Sequence, residues 1–250
     1  TIVDAETTII PRVSLEHMGF GGLTASFLFG PNVRATSDDV RSGAYEAAGL
    51  SILNGRGEWI WRPFNNPGTL QISAFQDEQP RGFGLVQRDR DLAAFQDDIQ
   101  HYERRPTLWI EPVGDWGAGA IQLIEIPSDA EVNKNILAYW RPKEPVPAGQ
   151  DLRFAYRQSW AWEMPQQPDL AQIAHTRSGS GGARKRRFLI EFRGDNLAPP
   201  PATISLETND ANNYLASTIG TQAVERIRRS VAELVGTEAA TRLLTAISDI

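Results

Sequence analysis

Cleaving a glycosidic bond takes two carboxyl groups, one protonated to give its proton to the leaving oxygen and one ionised to act as base or nucleophile. Candidates are plentiful: Glu46, Glu58, Asp89, Asp91, Asp97, Glu111, Asp115, Glu125, Asp129 and Glu131. Their spacing singles out no pair, and the arginines interleaved with them offer ordinary ion pairing as the competing use. In QRDRD, residues 87–91, Arg88 and Arg90 alternate with Asp89 and Asp91. On a strand that alternation sends both arginines to one face and both acids to the other. It suits a structural ion-pair ladder as well as it suits recognition of a sugar.

The stretch from Gly57 to Trp140 also sets Trp59, Trp61, Trp109, Trp116 and Trp140 among Arg62, Arg81, Arg88, Arg90, Arg104 and Arg105. Indole rings cover the apolar faces of a pyranose while fixed polar groups take its hydroxyls. The competing use of these tryptophans is core filling, since Trp is usually well buried. Other chemistries have less support. His17, His101 and His175 are isolated and Cys is absent, so neither a metal nor another cofactor is expected. There is no GxSxG elbow and no GxxxxGK[ST] loop, and GFGLVQ at 82–87 reads as a strand with glycines.

These groups need a frame. The chain has 250 residues, 41% hydrophobic and 22% charged, with a formal net charge of −6. An acidic chain of ordinary composition points away from nucleic acid, and no apolar run approaches a membrane span, so no membrane insertion is expected. The absence of cysteine excludes disulfides and a thiol nucleophile.

VDAETTIIPR and LTASFLF predict strands before residue 30, and the polar residues 33–48 a loop or lid. From Gly49 the runs SIL, WIW, TLQISAF, FGLVQ, TLWIEP, AIQLIEI and ILAYW recur between Gly- and Pro-rich turns, the rhythm of an antiparallel β-sandwich. DLAAFQDDIQHYERR at 91–105 suits a short amphipathic helix or a folded loop.

The expected organisation is a mainly β sandwich over 1–165, a linker over 166–187, and a small C-terminal domain over 188–250. HTRSGSGGARKRR at 175–187 has linker composition, and its charge run is expected to be solvated. FLIEF and TISLE predict strands in the small domain. Helices are predicted over 222–235 and 238–247, with Thr221 and Thr237 as N-caps.

LFGPN at 28–32, GLSI at 49–52, GEWIWRP at 57–63, NNP at 65–67, GFGLVQRDRD at 82–91, WIEPVGDWG at 109–117, EIP at 125–127 and NILAYWRP at 135–142 stand in a telling order. Together they resemble the periplasmic osmoregulated glucan biosynthesis proteins G and D, the MdoG/OpgG and OpgD family. The resemblance covers about residues 20–165.

It implies a galactose-mutarotase-like glucan domain, N-terminally incomplete because family members extend further on that side. A small immunoglobulin-like region would follow, diverging here into a helical tail. It also implies a periplasmic location, β-1,2-glucan as ligand, and the glucan-synthesis machinery as a further partner. Trp59, Trp61, Arg62, Arg88, Asp91, Trp109 and Trp116 are the substrate-binding set it suggests.

Members of the family include inverting β-1,2-glucanases. The resemblance puts their base position at Glu46, in AYEAAGLSI, and their general-acid position in NKNIL, at Lys134. An ammonium with a reference pKa near 10.4 is a reluctant proton donor. It would also oppose the positive charge that develops in the transition state. Glu131 and Asp129 are the neighbouring carboxyls that would have to replace it. Two readings stay open: a β-1,2-glucanase or transglycosylase, and a glucan-binding or assembly protein that has lost the acid.

Overall fold

A computed structural model of the chain describes residues 1–31, 33, 38–167, 172–182, 185–193 and 203–209. They fall into two compact units, Thr1–Gln167 and Pro168–Ile250.

The first unit is built from strands β1 (Ile2–Ile9), β2 (Phe20–Ala25), β3 (Phe27–Phe29), β4 (Ala44–Tyr45), β5 (Gly49–Leu53), β6 (Trp59–Pro63), β7 (Gln71–Asp77), β8 (Gly82–Val86), β9 (Thr107–Val113), β10 (Gly119–Glu125), β11 (Ile136–Pro142) and β12 (Leu152–Ala161). They form a six-stranded sheet ordered β1-β12-β9-β8-β5-β6, a four-stranded sheet ordered β2-β11-β10-β7, and the short pair β3-β4. All of these pairings are antiparallel. The mainly β, antiparallel architecture is the one the sequence rhythm predicts.

Alternation along the strands makes the core. In β10, Ile121, Leu123 and Glu125 turn inward while Gln122 and Ile124 turn outward. Leu50, Ile52, Phe83, Leu85 and Ile110 of the larger sheet meet Phe20, Leu23, Ile121, Leu123, Ala138 and Trp140 of the smaller one. Phe20 of β2 stacks on Phe154 of β12 with ring centroids 3.4 Å apart, joining the sheets directly. Gly21, at φ +59, lets β2 come close to Ile110, Phe83 and Trp116.

The opposite face of the larger sheet is floored with small residues so that indoles can lie flat on it. A Cβ on Gly82 would stand 2.5 Å from Trp109 Cζ2, and one on Gly84 2.7 Å from its Cε3. Trp59 of β6 reaches over the intervening β5 and β8 to stack on Trp109 of β9, at 5.7 Å and 28°.

The segment 91–105 is a folded loop holding two 3-10 turns, Leu92–Ala94 and Tyr102–Arg104. Its helical stripe fails for local reasons. Asp97 takes the N–H groups of Ile99 and Gln100 into an Asx turn, and Gln96 and His101 adopt left-handed backbone at φ 55 and φ 50. Phe95 and Tyr102 are consequently buried, while Leu92 and Ile99 point to solvent.

In the second unit, β13 (Gln172–Gly182), β14 (Lys185–Arg193) and β15 (Thr203–Asn209) form an antiparallel three-stranded sheet. This corrects the linker expected over 166–187. The Gly/Ser-rich run has a partner: Thr176 pairs with Ile190, Ser178 with Phe188 and Gly179 with Arg187. Composition alone reads such a run as mobile, but backbone pairing with the apolar FLIEF strand overrides it. Arg177 Nη1 adds a bond to Glu191 Oε1 at 2.6 Å. The helices predicted over 222–235 and 238–247 lie outside the described residues.

Candidate functional site

Three loops converge beside β3 and β4: 38–48, 87–105 and 126–135. Two consecutive residues of the chain gather them. The backbone of Ser26 donates to Glu46 Oε2 at 3.0 Å, and the Glu46 N–H returns a bond to the Ser26 carbonyl at 2.9 Å. The next residue, Phe27, is bracketed by Asn135: its N–H donates to Asn135 Oδ1 at 2.8 Å, and Asn135 Nδ2 donates back to its carbonyl at 2.9 Å. Glu46 and the foot of the 126–135 loop are thereby fixed side by side.

The consequence is direct contact between the two positions singled out by the resemblance. Lys134 Nζ donates to Glu46 Oε2 across the meeting of the loops. The Glu46 side chain is 15% exposed and the Lys134 side chain 51%, so the carboxylate lies beneath the ammonium. On the other side, Arg105 Nη1 stands 3.7 Å from Glu46 Oε1. Gln87, itself buried, offers its amide to the carbonyls of Tyr45, Glu46 and Tyr102 at 3.2, 3.3 and 3.3 Å, stitching the first two loops together.

A second ionic knot ties all three loops through Arg41. Its guanidinium meets Asp39 Oδ1 and Oδ2 through Nε and Nη2 at 3.1 and 2.9 Å, and Nη1 reaches Asp97 at 2.6 Å and Glu131 at 2.7 Å. Tyr102 Oη donates to Glu131 Oε2 at 2.9 Å.

Hydrogen bonding to Asp39, and further to Asp97 and Glu131, holds the Arg41 guanidinium charged well beyond its ordinary range. Burial would raise the Asp97 carboxyl, but the Gln100 N–H, Arg41 and the Ile99 N–H together hold it below the usual aspartate value. Asp39 is lowered chiefly by its bonds from Arg41. Burial first, and then the neighbouring Glu131 carboxylate, push the Tyr102 hydroxyl above its ordinary range. Tyr45 is shifted the same way by burial and by Asp89, which accepts its hydroxyl at 2.7 Å.

The far end of the 126–135 loop is held from the segment that follows β6. Asn66 Nδ2 donates to the Leu28 and Ser128 carbonyls at 3.0 and 2.7 Å, and Ser128 N–H donates back to Asn66 Oδ1 at 3.0 Å. Below it, the buried Glu125 accepts from Arg62 Nη2 at 2.8 Å and from the Asn65 N–H at 2.7 Å. Burial drives the Glu125 carboxyl upward, against the opposing pull of Arg62 and Asn65.

The rest of the expected binding set is not gathered at this rim. Trp109 is 0% exposed, flat on Gly82 and Gly84, and has no face to offer a ligand. Trp116 is equally a core residue: it packs on Phe154 at 5.0 Å and its Nε1 donates to the Ala155 carbonyl at 3.0 Å. Both belong to the expected substrate-binding set, and their burial in the core is at odds with that role. Trp61 is half-buried between two covers, with Gly49 beneath its ring and the Arg88 guanidinium 4.3 Å from its centroid.

Trp59 keeps one partly open side, but it pairs with Leu53, at the end of β5 remote from Glu46. Arg62 is engaged by Glu125, and the Asp91 carboxylate accepts the Ala93 N–H at 3.0 Å as the cap of a 3-10 turn. Arg88 and Arg90 do share a role: Arg90 lies 4.3 Å over Trp162 as Arg88 does over Trp61. Their acidic neighbours turn to Tyr45 and to the turn cap, so the alternation serves two kinds of partner rather than a ladder.

Sequence reasoning passed over Arg41, Gln87, Tyr102, Asn66 and Asn135, and named Arg105 only among the arginines interleaved with the tryptophans. Asn66 and Asn135 lie in motif runs, where an amide between apolar strands was the available signal. Nothing in the spacing marks Arg41.

The family model described as periplasmic glucan biosynthesis protein, MdoG, matches residues 1–245. Glucans biosynthesis protein G of Bradyrhizobium diazoefficiens is 48% identical over 197 residues, covering 79% of this chain and 39% of that protein. The protein of the same name from Shewanella baltica is 46% identical over 197 residues, covering 77% and 36%. The Vibrio cholerae protein is 43% identical over 203 residues, covering 80% and 37%. The chain thus spans well under half the length of these relatives.

Proposed function

The chain belongs to the MdoG family of periplasmic glucan biosynthesis proteins, and from that membership we propose that it binds the β-1,2-glucan backbone of periplasmic glucans at the rim formed by loops 38–48, 87–105 and 126–135. The observation that carries the reading is the Lys134–Glu46 contact. By the family resemblance these are the general-acid and base positions, and the two side chains meet at one surface. Lys134, Arg105 and Arg41 supply donors there, and Glu46 and Glu131 supply acceptors, the combination a polyhydroxylated chain requires. With an ammonium in place of the acid, and bonded to the base, binding without cleavage is the favoured activity. The protein would act in the periplasm in glucan assembly, beside the synthesis machinery.

A second reading, an inverting glucanase or transglycosylase, rests on Glu131. It lies three residues before Lys134, its side chain is 32% exposed, and Tyr102 donates to it. Its Oε2, however, is already shared by Arg41 and Tyr102.

Calorimetric titration with linear β-1,2-glucan, run beside a reducing-end assay, separates the readings. Saturable binding with no new reducing ends is expected. No binding would overturn the proposal, and reducing-end release abolished by Glu131→Gln would establish the second reading.

A further inference from the structure

The charges at the rim are unevenly divided. Arg41 faces three carboxylates, whereas Glu46 faces two cations, Lys134 and Arg105. The carboxylate is the buried member of that second group. Its side chain is 15% exposed against 51% for Lys134 and 40% for Arg105, so solvent meets the cations first.

Neither cation has used its donors. An ammonium carries three N–H groups and a guanidinium five. Lys134 makes one bond, to Glu46. Arg105 makes a long one, Nη2 to Gln100 Oε1 at 3.5 Å, while Nη1 faces Glu46 at 3.7 Å and Nε has no acceptor. The nearest acid of the Lys134 loop in sequence, Glu131, is turned to Arg41 and Tyr102 and does not neutralise this spot. Within this group of three, one positive charge is left over, with N–H groups to spare on Lys134 and on the Arg105 Nη atoms.

We propose that Lys134 and Arg105 form an anion-accepting subsite, selecting glucan that carries a carboxylate or phosphate ester group next to the sugar ring held at the rim. Glu46 acts as a positioning residue: it draws the two cations to opposite oxygens of one carboxylate and so fixes their separation. A neutral sugar would meet the same donors through its hydroxyls, but only an anion adds an opposite charge on the acceptor to the bonds with both. The subsite rests on the glucan-binding reading given above and adds to it the class of glucan preferred.

The test compares a neutral linear β-1,2-glucooligosaccharide with the same oligosaccharide bearing one phosphate or one succinyl monoester, with inorganic phosphate as a fourth ligand. Affinities are measured by calorimetry at low and at high ionic strength. Wild-type protein is expected to prefer either charged oligosaccharide by about fivefold at low salt, the preference shrinking as salt screens it. The preference should fall towards one in Lys134→Gln and in Arg105→Gln, and invert in Lys134→Glu. Thermal unfolding of each variant verifies that it is folded, and the wild-type salt series stands without any variant.

Equal affinity for charged and neutral oligosaccharides in the wild type would overturn the subsite and leave glucan binding intact. A preference that survives both Gln variants would overturn it as well. Loss of binding to all three oligosaccharides would remove the glucan reading itself. Inorganic phosphate bound as tightly as the phosphorylated oligosaccharide would show an anion site unconnected with glucan, and would overturn the proposal on that ground.

Discussion

Lys134 Nζ bonds Glu46 Oε2 although 88 residues separate them, because Glu46 is tied to Ser26 while Asn135, the residue after Lys134, is tied to the next residue, Phe27. The contact therefore belongs to the frame and does not hold the frame together. Lys134→Ala should cost less than about 1 kcal/mol, as exposed ion pairs do. Lys134→Asp should cost roughly 1 kcal/mol by setting two carboxylates face to face. If Glu46 is the base that the resemblance implies, the substitution also returns a carboxyl to the proposed general-acid position. Denaturant midpoints check the stabilities. Reducing-end release from linear β-1,2-glucan is expected in Lys134→Asp and not in Lys134→Ala.

Arg41 should dominate the acid limb of stability. Asp39 and Asp97 titrate below their ordinary value in the folded protein. A carboxyl lowered on folding contributes stability that is present above its unfolded pKa, near 3.9, and that is lost as pH falls through the lower folded value. Wild-type protein should hold its stability down to about pH 4 and lose it below. Arg41→Met removes the shared cation and leaves Asp97, with a side chain only 3% exposed, to its two backbone donors. A loss of about 2–4 kcal/mol at pH 7 is expected, shrinking as the pH falls below 4. Urea midpoints from pH 3 to 7 measure both.

The tryptophans divide by what lies against their faces. Trp116→Ala and Trp109→Ala each empty a packed site and should destabilise by about 3–5 kcal/mol. Any effect on glucan binding should then vanish under conditions where the variant is fully folded. Trp61→Ala should cost less, since it removes a half-buried ring together with its Arg88 cation–π contact, worth about 0.5–1 kcal/mol at such a site. Parallel denaturant and binding curves for the three variants test the ordering.

The sandwich was legible because its signal is local: alternating apolar runs and punctuating turns report strands whatever their order. Glu46 and Lys134 came through as two separate positions beside the motif runs, implied by the resemblance, but their contact depends on Ser26 and Asn135, whose roles have no periodicity. The indoles misled because Trp59, Trp61, Trp109 and Trp116 share a composition and not a surface. What puts Trp109 out of reach is the pair Gly82 and Gly84 on a neighbouring strand, visible only once the strands are paired. The 91–105 stripe was likewise correct in spacing and defeated by Asp97, whose side chain competes for the backbone N–H groups a helix would use.

Glu125 gives the opposite pH signature to Arg41's partners. It is buried, and burial raises its carboxyl despite Arg62 and the Asn65 N–H. A carboxyl raised on folding favours the folded state fully below its unfolded pKa, near 4.3, and that contribution is lost as pH rises through the folded value. Glu125→Gln lacks the titration but keeps an oxygen for the Asn65 N–H. The stability of wild type relative to Glu125→Gln should therefore be greatest near pH 4 and decline above it, reaching a plateau once Glu125 is ionised in the folded state. Glu125→Leu should be worse than Glu125→Gln at every pH, by about 1–3 kcal/mol, because it leaves the Asn65 N–H without an acceptor. Since that N–H adjoins Asn66, which carries Ser128, the Leu variant should also loosen the loop that presents Lys134, read as faster amide exchange over 126–135. Urea midpoints at pH 4 to 7 decide the first point and hydrogen exchange the second. A wild-type advantage over Glu125→Gln that grows with pH would show that the Arg62 pairing outweighs burial.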